Sequence, residues 1–353
     1  MPPHPLQDIT QPFDERKPRI PYVQGWCFNV QQHIPPPPIE LNPAIECTVE
    51  EVSESIKMKE SDPFELCLHN SPLPGVHGPS SLQLQINDTI RVGDRHHAQL
   101  VVVEVLTANP SVKGLSQGQQ VVAKIYDPMY IDDDEFYINP FLAADKDYTY
   151  ETAAYTAFED LQGSAIPQYY GSYSLNIPLE QTEHKRQVRL ILMEFIPGSS
   201  MQSLNPKNIP QRIRQSLMKS IIEFDTLVYS RNIVLADLHP RNIIAVDDRA
   251  VFIDFAGAYI GMGALYIQNL FKSFEFRFGN YASPLLRWND HHNQVREFDD
   301  WYYDWEWQPW LQTEFADTAH AITPGMLNHF LPPIFFRRVG RDELEGLRVV
   351  IGR

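Results

Sequence analysis

Cysteine is scarce, and so are the signals that accompany secreted or membrane-spanning chains. Only Cys27, Cys47 and Cys67 occur in 353 residues. Their odd number and wide spacing suit neither a disulfide framework nor a close metal site, so they read as reduced thiols of a cytoplasmic or nuclear protein. No secretory signal is recognisable, and no apolar run nears the roughly 18 residues of a membrane span, which argues against secretion and against a membrane partner. Basic side chains are in deficit: 29 Lys and Arg face 45 Asp and Glu, a net charge of −16. That sign disfavours a nucleic-acid binder, which presents a basic face, and leaves room for a basic substrate or partner. Internal repeats are absent too. What remains is ordinary, 43% hydrophobic and 21% charged, in a chain long enough to bury a sizeable core and to form two lobes.

The most informative stretch runs from Asn232 to Gly257. Two apolar runs, Ile243 to Val246 and Ala250 to Ile253, flank Asp247-Asp248-Arg249, so a β-hairpin is expected. Pairing symmetric about Asp248 would bring Asn242 and Asp254 to the same open end, with Asp237 entering just before them. Three hard oxygen donors would then converge. Mg²⁺ takes a few such donors and completes its shell with phosphate oxygens and water, which makes phosphoryl transfer the sharp reading. The plain alternative is a hairpin whose Asp and Asn side chains only form turns and caps.

The same residues carry a resemblance. Leu235-Ala236-Asp237-Leu238-His239-Pro240-Arg241-Asn242, followed by Asp254-Phe255-Ala256, is similar to the catalytic and metal-binding loops of the protein-kinase-like superfamily. The D-L-H-P-x-N form looks like the aminoglycoside phosphotransferase branch, and the wider pattern most resembles a fungal protein-kinase-like family. The resemblance implies an α+β, bilobal protein-kinase-like fold with a β-rich small lobe and a mainly helical large lobe. It also implies ATP as substrate, Mg²⁺ as cofactor and a hydroxyl acceptor, protein or small molecule. Asp237 would accept or orient the acceptor's proton, and Asn242 and Asp254 would hold Mg²⁺. Arg241 or His239 would neutralise charge near the transferring phosphate.

Four segments are expected along the chain: a Pro-rich, partly ordered arm over 1–80, a small lobe over 81–196, a large lobe over 197–312 and a peripheral segment over 313–353. In the arm, Pro35 to Pro38 read as a spacer or a polyproline ligand, and Trp26, Phe28, Phe64 and Leu66 as anchors. Leu82 to Ile86 alternates strictly and Ala98 to Leu106 is β-rich, so two strands are expected with Arg91 to His97 between them. The resemblance would place Gly93 over nucleotide phosphates. In Gln120 to Tyr126, alternation puts Val122 and Lys124 on one face and Val121 and Ala123 on the other. Lys124 then reads as a surface lysine or, by resemblance, as the nucleotide-phosphate contact with Val122 roofing the base. Asp132 to Glu135 reads as a solvated acidic loop or a cation site.

Tyr148 to Leu161 has helical spacing, with Gly163 near its end and Glu151 in the first turn. An acid there is explained by the helix dipole or, by resemblance, by pairing with Lys124. The run Val188 to Phe195 reads as a strand. By resemblance it leads into an interlobe hinge, with Met193 beside the adenine pocket and backbone groups of Glu194 and Ile196 bonded to adenine. Ile213, Leu217, Ile221, Phe224 and Val228 mark a supporting helix opened by Pro210. Phe298 to Trp307 is dense in aromatics and acids, fitting either helix packing or a cradle for a cationic substrate.

Leu235 and Ala236 stand where protein kinases have His and Arg, so an arginine-dependent response to activation-loop phosphorylation is not expected. The phosphate loop keeps only Gly93. The resulting expectation is an ATP- and Mg²⁺-dependent phosphotransferase; the alternative is a pseudokinase scaffold that binds partners with little or no catalysis.

Overall fold

The computed structural model describes residues 16–38, 57–58, 60–131, 139–179, 183–261, 280–290 and 292–330. The acidic run Asp132 to Glu135, most of the segment between Gly257 and Pro284, and residues 331–353 of the peripheral segment lie outside them. Contacts divide the chain into two compact units, one of residues 1–153 and 168–195, the other of 154–167 and 196–353.

The first unit is built on six strands: β1 (Cys27–Ile34), β2 (Val76–Arg91), β3 (Gln99–Asn109), β4 (Gln120–Tyr126), β5 (Tyr169–Pro178) and β6 (Lys185–Glu194). They pair antiparallel in the order β1-β2-β3-β4-β6-β5, and β5 returns to β1, so the sheet closes into a barrel. Alternation decides which side chains fill it. Leu82, Leu84 and Ile86 of β2, Val101, Val103 and Val105 of β3, and Val121, Ala123 and Ile125 of β4 all point inward into one core with Leu190 and Leu192 of β6. Val122, Lys124 and Tyr126 therefore take the outer face of β4. A short helix, α1 (Pro63–His69), begins where Asp62 accepts the N–H groups of Phe64 and Glu65, an N-cap. Helix α2 (Pro140–Ala157) runs from the first unit into the second.

The second unit holds β7 (Ser199–Ser200), α3 (Gln211–Ser230), β8 (Ile233–Leu235), the hairpin β9 (Ile243–Val246) and β10 (Arg249–Phe252), and β11 (Ala258–Ile260). Short helices α4 (Pro284–Arg287), α5 (Asn293–Arg296), α6 (Trp307–Glu314) and α7 (Pro324–Phe330) follow. Helix α3 buries Leu217, Ile221, Phe224 and Val228, the stripe its spacing demands. Phe224 stacks on Phe252 of β10 with ring centres 3.8 Å apart. Gly198 lets β7 approach β9, because a Cβ there would stand 2.7 Å from Ile244 Cγ2.

The bilobal kinase-like expectation is corrected by this architecture. The β-rich part is a closed six-stranded barrel, because β1 pairs with both β2 and β5 and leaves no open edge. Among the described residues of the second unit α3 is the one long helix, the other helices are short, and β7 to β11 form two small sheets, β10-β9-β7 and β11-β8.

Candidate functional site

Asp237, Asn242 and Asp254 are brought together by the two small sheets. Pairing of β8 with β11 sets Ala236 against Gly257, whose carbonyl accepts the Ala236 N–H at 3.0 Å. A single 3₁₀ turn over Pro240–Asn242 then delivers Asn242 to the start of β9, with His239 Nδ1 accepting the Arg241 N–H at 3.3 Å. Asp237, Asn242, Asp254 and Gly257 line one small cavity with Leu235, Leu238 and Phe255.

The hairpin's register differs by one residue from the symmetric expectation. Val246 pairs with Arg249 and Ile243 with Phe252, so only Asp247 and Asp248 form the loop. Asp247 takes φ +54°, the left-handed sign that two-residue hairpin loops require. Asn242 consequently faces Ile253, whose N–H it accepts at 2.9 Å, and Asp254 follows one position later at φ +66°. That conformation is uncommon for a residue with a Cβ and is held by its neighbour. Phe255 is buried edge-on between Tyr155 and Phe158, each 5.4 Å away by ring centres.

Asp237 is well supplied with donors. The Arg241 guanidinium donates to its Oδ1, and the Asn242 amide donates to Oδ2 at 2.8 Å and to the Asp237 carbonyl at 3.0 Å. Both amide hydrogens of Asn242 are thus directed at Asp237, which leaves its Oδ1 as the atom able to meet a cation. His239 is half-buried and points its Nε2 at Glu297, 3.1 Å away. Among the described residues no three His, Cys, Asp or Glu side chains are placed to enclose a metal. Asn242 and Asp254 fit Mg²⁺ only as a partial set, completed by substrate oxygens and water as that ion prefers.

A second constellation lies in the first unit. Lys124 is 3% exposed and Glu151 fully buried, and Lys124 Nζ donates to Glu151 Oε2 at 2.5 Å. The helix-dipole explanation of Glu151 does not survive: α2 starts at Pro140, capped by Asn139, which accepts the N–H groups of Phe141 and Leu142. Glu151 therefore sits well past the first turn, where the dipole has little effect. Val122 lies on the same outer face of β4 and is paired in register with Met193. Glu194 uses its own N–H on the Gln168 carbonyl at 2.8 Å, while its Oε2 accepts the Gln168 N–H at 3.0 Å. Ile196 is partly exposed and opens the second unit.

Gly93 does not present a free amide. The buried side chain of Gln99 accepts the Gly93 N–H and donates to its carbonyl, both at 2.8 Å. Sequence reasoning overlooked Gln99; a lone Gln opening an apolar strand was the available signal. The aromatic-acidic run is also accounted for, since Arg214 of α3 fills it. Its guanidinium lies 4.5 Å from the Tyr303 ring centre and 5.0 Å from that of Trp305, and donates to Asp304 Oδ2 at 2.6 Å and the Trp301 carbonyl at 2.7 Å. The cradle holds a cation, and that cation is internal.

Among the described residues no helix is long and apolar enough to cross a membrane. No curated protein matches the chain. Residues 175–260 match the model of the RIO domain, a span that contains Met193, Glu194, Ile196, Asp237, Arg241, Asn242 and Asp254. That segment, from within β5 to the end of β11, is similar to an atypical protein-kinase-like phosphotransferase family.

Proposed function

We propose that this protein transfers the γ-phosphate of ATP to a hydroxyl acceptor with Mg²⁺ as cofactor. One observation carries the reading: inside the RIO-like segment, Asp237, Asn242 and Asp254 line a single cavity at the open end of the β9–β10 hairpin. Phosphoryl transfer asks a protein chiefly for positioning and charge neutralisation, so a carboxylate for the acceptor hydroxyl beside oxygen donors for a cation is an adequate set. When bound, Mg²⁺ would neutralise phosphate charge. Asn242 and Asp254 would hold it, and Asp237 would orient the acceptor hydroxyl and take its proton. Arg241 would leave Asp237 to meet phosphate. Lys124, fixed by Glu151, would bind nucleotide phosphates. Val122, Met193 and the backbone of Glu194 and Ile196 would receive the base, and Gly93 would lie over the phosphates. Within the superfamily the D-L-H-P-x-N form favours kinship with the aminoglycoside and small-molecule phosphotransferases, the wider pattern favours a fungal kinase-like family, and the few, widely spaced cysteines favour a cytoplasmic or nuclear setting.

A scaffold with little catalysis is favoured by a different observation, the engagement of Asp237 by both Arg241 and Asn242. The two readings separate in one experiment. Transfer of labelled phosphate to any acceptor in a hydroxyl-compound and protein screen, abolished by Asp237→Asn, supports the enzyme. Mg²⁺-dependent ATP binding with no transfer across the screen supports the scaffold.

A further inference from the structure

We propose that Tyr126 is a positioning residue for the Lys124–Glu151 pair, its hydroxyl fixing the one carboxylate oxygen that the lysine uses. Only the consequence for ATP rests on the proposed function; the positioning itself is a property of the first unit.

Tyr126 and Lys124 stand two residues apart on the outer face of β4, and both reach Glu151 Oε2. The lysine ammonium donates at 2.5 Å and the tyrosine hydroxyl at 2.7 Å. Tyr126 is buried, so bulk water is not at hand to replace its hydroxyl. A neutral O–H anchors a carboxylate without competing for the positive charge of the lysine, and a bond to an ionised acceptor is among the stronger ones. With both donors in place, Oε2 is held from two sides.

Tyr126 is itself held. Its ring meets that of Tyr148 edge-on, centres 5.6 Å apart. Tyr148 lies three residues before Glu151 on α2, hence on the same helix face. The Tyr148 hydroxyl is 2.5 Å from Nδ1 of His33 on β1. His33 is 3% exposed, and its Nε2 lies against Gly75, where a Cβ would come within 2.3 Å. The Ser172 hydroxyl of β5 donates to the His33 carbonyl at 2.5 Å. Burial pushes His33 down to about 4 and Tyr148 up to about 12, so both are neutral at pH 7 and the link between them is uncharged. The strand that closes the barrel therefore braces the helix carrying Glu151, through Tyr148 and then Tyr126.

Tyr126→Phe keeps the ring and removes the hydroxyl. Three quantities would be read on the full chain: the thermal midpoint, the rate at which an amine-reactive ester labels Lys124 by peptide mass spectrometry, and the affinity for Mg²⁺·ATP. Expected are a folded protein, several-fold faster labelling of Lys124 and about tenfold weaker ATP binding, the loss that one bond to a charged group produces. A folded variant whose labelling rate and affinity match the natural chain would overturn the proposal. If the natural chain binds no ATP, the labelling rate still decides: a change upholds the positioning and removes only the nucleotide reading, and no change removes the positioning. Should Tyr126→Phe not fold, Tyr148→Phe is expected to accelerate labelling by a smaller factor, and an unchanged rate there counts against the idea.

Discussion

Replacing Lys124 with methionine leaves the Glu151 carboxylate in the interior with its cationic partner gone. The side chains of the pair are 4% and 0% exposed, so solvent screens neither charge. Breaking such a pair from one side costs about 3–5 kcal/mol, most of it the penalty of the abandoned charge. The Tyr126 hydroxyl remains bonded to Glu151 Oε2, which places the expected loss for Lys124→Met at the lower end, about 3 kcal/mol. Removing both charges, as Lys124→Met with Glu151→Leu, abolishes the abandoned charge and takes the carboxylate acceptor from the tyrosine hydroxyl, for a loss of about 1–2 kcal/mol. The double variant should thus be more stable than Lys124→Met alone, and neither should bind Mg²⁺·ATP. Urea denaturation followed by circular dichroism, beside an ATP titration, reads both quantities. A loss below about 1 kcal/mol for Lys124→Met would show that the pair is not desolvated, because a desolvated pair cannot be broken so cheaply. So would a double variant less stable than the single one.

Arg214→Met should destabilise the second unit by about 3 kcal/mol, since the buried Trp301 carbonyl and the partly buried Ile209 carbonyl, which accepts Arg214 Nε–H at 3.0 Å, lose their donor and the aromatic groove loses its cation, while partly exposed Asp304 is rehydrated; a change under about 1 kcal/mol would show the groove to be indifferent to its occupant. His33 makes stability depend on pH. Its folded value is depressed from the ordinary 6.5 to about 4, so below pH 6.5 the unfolded chain takes up a proton that the native imidazole refuses. Stability is then lost at up to about 1.4 kcal/mol per pH unit until pH 4, where the loss levels off. Asp145, raised by burial to about 6, works in the other direction: its destabilising effect is present above pH 6 and fades as pH falls towards 3.8. Subtracting the denaturation profile of His33→Gln isolates the histidine, and a flat difference between pH 6.5 and 4 would contradict its assignment.

Local pattern carried a good deal of this site. Alternation in Gln120 to Tyr126 put Lys124 on the correct face, because period two is enforced by the pleat itself. The hairpin was legible from its apolar runs, but not its register: Arg249 reads as a loop residue by polarity, yet pairs with Val246, since an edge position tolerates a charged side chain. The start of α2 at Pro140 is signalled by Asn139-Pro140, a cap followed by proline at the first helical position, whereas the apolar stripe alone points only to Tyr148. Barrel closure and the cation beneath the aromatic run depend on partners distant in sequence. Val30 of β1 pairs with Leu175 of β5, and Arg214 meets Asp304 from 90 residues away. No window of local periodicity reports such pairings.

If the Asn242–Asp254 end of the hairpin serves a Mg²⁺-bound nucleotide, as we propose, ATP affinity must depend on both the ion and Asp254. An ATP titration with and without Mg²⁺, on the natural chain and on Asp254→Asn, reads that dependence. Asn tolerates the left-handed backbone that residue 254 adopts, so this substitution removes a charge and leaves the turn. Expected is ATP binding that requires Mg²⁺ and weakens by tenfold or more in the variant, about 1.4 kcal/mol or more. A folded natural chain that binds no ATP, or binds it equally well in the variant and without Mg²⁺, would contradict it.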